Sequence, residues 1–147
     1  MNLEFYGGNF PFVKPNDLKN KFISESTEYL SEKGKNVSRI LPKNSICVCC
    51  IGATIGKTSI LSVEGTTNQQ INSIVPIKLN PVYLYFAIKS SFVQHQFKSN
   101  AGKTTLPILN KTKFDNTLIP LPPLEEQKRI VAKIEEIFKT LEPLEED

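Results

Sequence analysis

Residues 119–131 read IPLPPLEEQKRIV, and this stretch marks the passage from an extended segment into a long helix. Proline holds its own φ and pushes the preceding residue towards extended geometry, so Pro122 and Pro123 predict a straight exit from the globular part. Pro123 is expected in the first helical turn, where its missing N–H costs nothing. Glu125 and Glu126 then lie near the positive end of the helix dipole. The sequence therefore predicts a C-terminal helix that begins near residue 123.

The predicted helix carries an apolar seam at coiled-coil spacing. Apolar residues recur in steps of four and three, at Ile130, Ile134, Ile137, Leu141 and Leu144. A heptad seam of this kind favours pairing with a second helix. The alternative is a terminal helix whose apolar face folds back on its own domain. Pro143 is expected to kink or end the helix.

Upstream of this helix, the chain predicts a mixture of short strands and helices. We expect a loop around Gly7 and Gly8, and strands at 10–13, within 17–24, at 45–51, 57–63, 70–77 and 117–121, with residues 52–56 as a hairpin turn. Helices are expected from residue 26 or 27 to 33, where Gly34 would end the helix, after Asn80, over 92–97, and as a short turn after Asn110. The predicted fold class is α+β (mixed α/β): a compact domain of short, twisted strands and helices, followed by a long coiled-coil-type helix.

Charge is unevenly distributed along the 147 residues. Residues 1–123 carry 14 Lys and Arg against 7 Asp and Glu, a balance of +7, and residues 124–147 carry 4 against 8, a balance of −4. A basic globular part attached to an acidic helix is compatible with a nucleic-acid binder that has a protein-facing arm. No apolar run approaches the roughly 20 residues that span a bilayer, and no signal segment follows Met1. We therefore expect a cytoplasmic protein without a membrane partner.

The cysteines and the histidine do not predict an enzyme. Cys47, Cys49 and Cys50 lie within one predicted strand, with Cys50 on the opposite face from the other two, so buried reduced thiols are expected. Zinc ligands are usually paired as CxxC across turns, and this spacing does not match. A single histidine, His95, leaves few options for acid–base chemistry. We expect no metal, no cofactor and no catalytic residue.

Residues 52–58, GATIGKT, invite comparison with a phosphate-binding loop. That loop has four residues between its glycines and opens a helix, whereas this segment has three and is followed by strand-like alternation. A tight turn that presents Lys57 and Thr58 is the favoured interpretation, and a nucleotide-binding enzyme is kept as an alternative.

Two polar loops contain candidates for nucleic-acid contacts. Asn and Gln amides can bind adenine bidentately, and lysines neutralise phosphates. The alternative for each residue is an ordinary solvated side chain or an amide that bonds nearby backbone. The candidate DNA-binding residues are Lys57, Thr58, Asn68, Gln69, Gln70, Lys103, Thr104 and Thr105.

The order of short motifs resembles one known family. The chain contains, in order, EFYGG at 4–8, FPFV at 10–13, LPKNSI at 41–46, the 51–57 glycine turn, TNQQI at 67–71, YLY at 83–85 and PLPPLEEQ at 120–127. This series is similar to the specificity (S) subunits of type I restriction–modification enzymes. The resemblance spans nearly the whole chain, and PLPPLEEQ is its most specific part.

The resemblance implies a function and a domain division. Residues 1–121 would form a DNA target-recognition domain, and residues 122–147 a spacer and dimerisation helix. The domain would read one half of a split site in double-stranded DNA, and the helix would dock the methyltransferase (M) subunit, which methylates adenine at N6. A restriction (R) subunit would join through M. S subunits usually carry two such domains, so the chain resembles a half-subunit, either natural or cut from a longer chain, that could form a homodimer through Ile130, Ile134, Ile137 and Leu141.

The resemblance also exposes one difference and leaves one competing class. Family domains usually begin earlier, so the family's first strand is expected to be missing here. A protein-interaction module without DNA affinity, resting on the heptad seam alone, is the remaining alternative.

Overall fold

A computed structural model describes residues 2–142 and contains two small sheets, five α-helices and two short 3-10 helices in that range. The first sheet is built on β1 (Tyr6–Val13), which pairs antiparallel with β3 (Glu28–Leu30) and parallel with β6 (Thr66–Thr67). The second sheet consists of β2 (Phe22–Ile23), β4 (Ile46–Cys49), β5 (Thr58–Leu61) and β7 (Ile71–Ile74). Its strand order is β2-β5-β4-β7.

The predicted hairpin and its neighbour are confirmed. β4 pairs antiparallel with β5 on one side and with β7 on the other, and β2 adds a parallel strand beyond β5. All four residues of β4 are buried, which explains why residues 46–50 form an unbroken apolar run instead of an alternating one. The α+β fold class predicted from the sequence is therefore confirmed.

β4 separates two hydrophobic clusters. Ile46, Val48 and Cys50 face a cluster that includes residues from the helices, among them Leu84, Ile88, Val93, Phe97 and Phe114. Cys47 and Cys49 face a second cluster with Val13, Leu18, Ile23, Leu41, Leu61 and Ile71. The division of the three cysteines between two faces of one strand matches the sequence prediction.

Helices α2 (Pro81–Lys89), α3 (Ser91–Ala101) and α4 (Lys111–Asp115) contribute residues to the cluster on one face of the larger sheet. Helix α1 (Glu32–Asn36) packs against β1 and β3 of the smaller sheet, and α5 (Leu124–Leu141) packs against α2. The Asn80 side chain accepts hydrogen bonds from the backbone N–H groups of Val82 and Tyr83, and Asn110 caps α4 in the same way through Lys113. Both caps were predicted from sequence.

The expected helix from residue 26 or 27 to residue 33 is wrong. Residues 28–30 form β3, and the helix begins only after Ser31, whose side chain accepts a hydrogen bond from Gly34 N–H. Gly34 lies inside α1 and does not end it. A Cβ at this position would lie 2.3 Å from the Phe5 carbonyl oxygen, so glycine is required by the close approach of two backbones.

Two further expectations also differ from the structure. The loop expected at residues 3–9 is mostly the first half of β1, which begins at Tyr6. Tyr6 and Phe10 both lie opposite Leu30, so the strand register is irregular between them, and this irregular part contains Gly7 at φ +83°. Residues 117–121 form no strand, although they are extended. Their backbone bonds to side chains, as described below, and not to a neighbouring strand.

The long helix begins where the sequence predicts. Pro123 was expected in the first helical turn but is the residue immediately before α5. Glu125 and Glu126 occupy the first turn, as expected. The predicted kink at Pro143 and the seam residue Leu144 lie outside the described residues. None of the described helices is long and apolar enough to cross a membrane.

Candidate nucleic-acid interface

Three polar segments that are distant in sequence meet at the end of β4. Cys50 N–H donates to the Gln70 carbonyl, and the Cys50 carbonyl accepts from Leu109 N–H, both at 2.8 Å. Two residues further on, Gly52 N–H donates to the Pro107 carbonyl at 2.9 Å. These bonds place the 52–56 turn between the loop that ends at residue 70 and the segment that follows the 102–105 loop. The candidate residues named from sequence therefore belong to one end of the larger sheet.

The 52–56 turn leads into a strand and accepts a side-chain hydrogen bond from α3. Gly52 and Gly56 have φ of +84° and +93°, and the Gln94 amide donates to the Gly56 carbonyl at 3.1 Å. Lys57 is partly exposed at the end of this turn. Thr58 is buried, and its hydroxyl donates to the Gly56 carbonyl at 2.8 Å, so its side chain is not presented on the surface. No helix starts here, which is the geometry of a hairpin and not of a phosphate-binding loop.

The loop at residues 68–70 has a defined internal geometry. The Asn68 amide donates to the Gln70 side-chain oxygen at 3.1 Å, while Asn68 Oδ1 accepts from Gln70 N–H. Gln69 lies between them and is exposed, with no hydrogen bond from its side chain to another described residue. An exposed amide held between two fixed neighbours can reach a base edge.

The third segment is the loop after α3. Lys103, Thr104 and Thr105 are exposed, and Gly102 before them has φ +83°, a conformation that glycine accommodates easily. Lys103 has no ion-pair partner among residues 2–142. Its ammonium group is available to a phosphate.

A polar cleft that the sequence did not predict lies beside these segments. It has a volume of about 350 Å³ and lies between the edge strands β6 and β7 of the two sheets. Arg39, Thr67, Asn72 and Lys111 are among its lining residues. Arg39 is the only arginine before α5, and Lys111 pairs with Asp115 at 2.6 Å. Thr67 directly precedes the Asn68–Gln70 run, which is the one sequence signal that pointed to this cleft.

Helix α5 is attached to the globular part at several points along one side. Gln127, in its first turns, is buried. Further along, Lys21 pairs with Glu135 at 3.5 Å, and the rings of Phe86 and Phe138 stack with centroids 6.1 Å apart. The side of α5 that carries these residues therefore packs on its own domain, as the alternative interpretation of the sequence predicted.

The heptad seam is only partly covered by these contacts. Ile130 and Ile134 are half-buried, but Ile137 and Leu141 are 49% and 45% exposed. Phe138 is directed towards α2, and the seam residues Ile134 and Leu141 line the same groove beside Phe86, whereas Ile137 does not line it. The described part of the helix consequently retains apolar surface that its own domain does not cover.

The thiols lie apart from these surfaces. All three cysteines are free and buried, and burial raises the pKa of Cys47 to about 12 and also raises the pKa of Cys50. Within residues 2–142, no group of three His, Cys, Asp or Glu side chains is arranged to hold a metal ion. The cysteines therefore belong to the core.

The fold is shared with solved type I specificity subunits. It matches the crystal structure of an HsdS subunit from Thermoanaerobacter tengcongensis with a TM-score of 0.76 at 20% identity, over 99% of this chain and 35% of that one. A second match, to a structure described as showing assembly and conformational transition of the type I R-M system, has a TM-score of 0.73 at 22% identity, over 95% of this chain and 33% of that one. These likenesses define the class of fold.

Sequence comparison then gives the family. The family model described as type I restriction modification DNA specificity domain matches residues 2–146, and the chain belongs to this family. It is 38% identical to the HindI specificity subunit of Haemophilus influenzae, over 91% of this chain and 31% of that protein. It is 34% identical to the MjaIX specificity subunit of Methanocaldococcus jannaschii, over 88% and 31%. The chain thus spans about a third of the length of these relatives.

The family membership decides two of the sequence predictions. The resemblance to S subunits is confirmed. The prediction of a non-catalytic specificity subunit, and not an enzyme, is confirmed at the level of the family, because the named relatives are all specificity subunits of type I restriction enzymes. The nucleotide-binding alternative is not favoured.

Proposed function

We propose that this chain supplies DNA sequence specificity to a type I restriction–modification complex by reading one half of a split site. The proposed division is a target-recognition domain over residues 1–121 and a spacer helix over residues 122–147. Lys57, the 68–70 loop and the 102–105 loop would contact the duplex. The chain itself would carry out no chemistry, and an associated methyltransferase subunit would methylate adenine.

The convergence of three polar segments at the end of β4 carries this proposal. The hydrogen bonds of Cys50 and Gly52 bring together residues from three separate parts of the chain. The exposed amide of Gln69 suits a base edge, and Lys57 and Lys103 suit phosphates. The net charge of +7 on residues 1–123 favours approach to DNA. Thr58 would act only by supporting the turn, because its side chain is buried.

Helix α5 is the proposed docking element. Its seam would pair with the seam of a second copy, and its charged faces would contact the methyltransferase subunit and, through it, the restriction subunit. A two-fold pair of this kind would read a palindromic split site. All of these partners act on the genome, which would place the chain in the cytoplasm.

The other candidate functions explain less of the structure. The glycine turn opens a strand where a nucleotide-binding loop would open a helix. An interaction module that does not bind DNA would explain the seam of α5, but not the polar segments assembled at the end of β4.

The test is co-expression with the methyltransferase subunit from the same source, followed by sequencing of N6-methyladenine across exposed DNA. We expect methylation at a split motif that depends on this chain. Gln69→Ala should weaken or relax recognition at one base pair, because a bidentate amide–adenine contact is worth about 1–3 kcal/mol. Asn36→Ala, at an exposed amide on α1, is the matched control and should leave the motif unchanged. Absence of chain-dependent methylation would contradict the proposed function.

A further inference from the structure

Gln127 is the one buried residue of α5 among those described, with 2% of its surface exposed. Its side-chain oxygen accepts a hydrogen bond from Asn80 N–H at 2.9 Å, and its amide donates to the Pro122 carbonyl at 2.9 Å. Asn80 is also the cap of α2. One amide therefore joins the start of α5 to the start of α2 and to the proline segment.

The segment that leads into α5 is held in the same manner. The Gln96 amide donates to the Leu118 carbonyl at 2.9 Å, and Gln96 Oε1 accepts from Leu118 N–H at 3.0 Å. The Tyr83 hydroxyl donates to the Pro120 carbonyl at 2.7 Å. Side chains of α2 and α3 thus replace the strand partner that this extended segment lacks, and they fix the path of the backbone up to residue 122.

We propose that Gln127 is a positioning residue that sets the direction in which α5 leaves the globular part. This inference rests on the proposed function, in which the helix separates two DNA half-sites. Gln127 would then determine the gap length that the complex accepts, without contacting DNA. The two polar atoms of the amide match this role. Its oxygen bonds to Asn80 in the domain, and its nitrogen bonds to Pro122 in the segment that leads into the helix.

Geometry makes the gap sensitive to a small change of direction. The 18 residues of α5 span about 27 Å at 1.5 Å per residue. A tilt of about 7° at the first turn would displace the far end by about 3.4 Å, which is the rise of one base pair. A single buried hydrogen-bonded group at the base of the helix is therefore enough to select between neighbouring gap lengths.

The other attachments of α5 are weaker constraints. The Lys21–Glu135 pair is at the surface, with side chains 34% and 50% exposed, and Phe138 is 55% exposed. Exposed ion pairs contribute little to stability and are screened by salt. A buried amide, by contrast, leaves Asn80 N–H and the Pro122 carbonyl without their partner when it is removed. We therefore expect loss of Gln127 to change the helix direction more than loss of the exposed ion pair does.

The experiment compares Gln127→Ala with Glu126→Gln, a change at the preceding position that removes a first-turn charge and its exposed ion pair with Arg129. Each variant is co-expressed with the methyltransferase subunit, and methylated sites are sorted by gap length. With Gln127→Ala we expect the half-site sequences to stay unchanged. The share of methylated sites with an altered gap should rise about fivefold, because that ratio corresponds to the low end of the free-energy cost of an unsatisfied buried amide. Glu126→Gln should keep the parental gap.

A second measurement needs no DNA. Nitroxide labels at Lys98→Cys on α3 and Glu136→Cys on α5 report the helix direction by pulsed electron paramagnetic resonance, with unlabelled chain in excess to suppress signals between copies. Gln127→Ala is expected to broaden or shift the distance distribution, and Glu126→Gln to leave it unchanged. Tyr83→Phe, which removes only the hydroxyl bonded to Pro120, should act in the same direction and tests the idea if Gln127→Ala does not fold.

The outcomes separate this inference from the proposed function. Wider gap choice and a changed distance distribution for Gln127→Ala support both. Parental methylation with an unchanged gap spectrum in Gln127→Ala and Tyr83→Phe overturns the inference and leaves the proposed function intact. If the parental complex methylates no split site, the proposed function fails and the gap role fails with it. An unchanged distance distribution in both variants overturns the positioning role in any case.

Discussion

Asp17 and Gln127 show how single polar side chains join separate segments of this chain. Asp17 is buried, and its carboxylate accepts from the backbone N–H groups of Lys14 and Thr27 and from the Thr27 hydroxyl, at 2.8 to 2.9 Å. Gln127 does the same for α2 and α5. Such residues look like ordinary surface polar residues in the sequence, because one partner of each is distant: Thr27 lies 10 positions from Asp17, and Asn80 lies 47 positions from Gln127.

The thiols allow a prediction at the residue scale. Because burial raises the pKa of Cys47 to about 12, its reactive thiolate is almost absent near pH 8, and the raised pKa of Cys50 acts in the same direction. The native chain is expected to react slowly with Ellman's reagent at pH 8, and all three thiols should react at once in guanidinium chloride. Rapid labelling of the native chain would contradict the burial of these residues.

At the scale of elements, local sequence signals predicted the structure correctly where no long-range contact overrode them. The 45–63 hairpin, the Asn80 and Asn110 caps and the start of α5 each depend on a few adjacent residues. The segment at 28–36 was predicted incorrectly because Glu28–Leu30 pairs with β1, a contact that local propensity does not contain. Residues 117–121 were predicted as a strand because extended geometry was evident, whereas the partners were side chains.

Helix α5 presents two apolar sides that should behave differently. Ile137→Ser removes an exposed seam residue and is expected to weaken self-association without lowering the melting temperature of the monomer. Phe138→Ala removes the stack on Phe86 and is expected to lower the free energy of unfolding by about 0.5–1.5 kcal/mol. Sedimentation equilibrium and thermal unfolding measure the two effects. Equal self-association of the Ile137→Ser and parental chains would contradict a role for the seam in pairing.

At the scale of the whole molecule, the globular part has its own core. The two hydrophobic clusters on either side of β4 contain no residue of α5. Charge is divided at the same place, with +7 before Leu124 and −4 after Pro123. The molecule therefore combines a basic unit that can fold without the helix and an acidic helix that is attached through a small number of contacts.

A chain that ends at residue 123 tests this division. We expect it to remain folded and soluble, because both clusters are intact, and to lose self-association. It should keep non-specific binding to duplex DNA, with an affinity that falls linearly on a log–log plot against salt concentration. Analytical ultracentrifugation and binding titrations at several salt concentrations provide the measurements. A shortened chain that dimerises as the full chain does would show that pairing does not depend on α5.

The sequence by itself determined the fold class, the family and the position of the long helix. Each follows from local or ordered patterns: apolar runs, caps at Asn80 and Asn110, and the PLPPLEEQ motif. Only the tertiary structure decided which polar residues meet. It brought the 52–56, 68–70 and 102–109 segments to the end of β4, buried Thr58, and assigned Gln127 to the joint between α2 and α5. The physical reason is that hydrogen-bond partners of buried polar groups are chosen by three-dimensional proximity, which residue spacing along the chain does not encode.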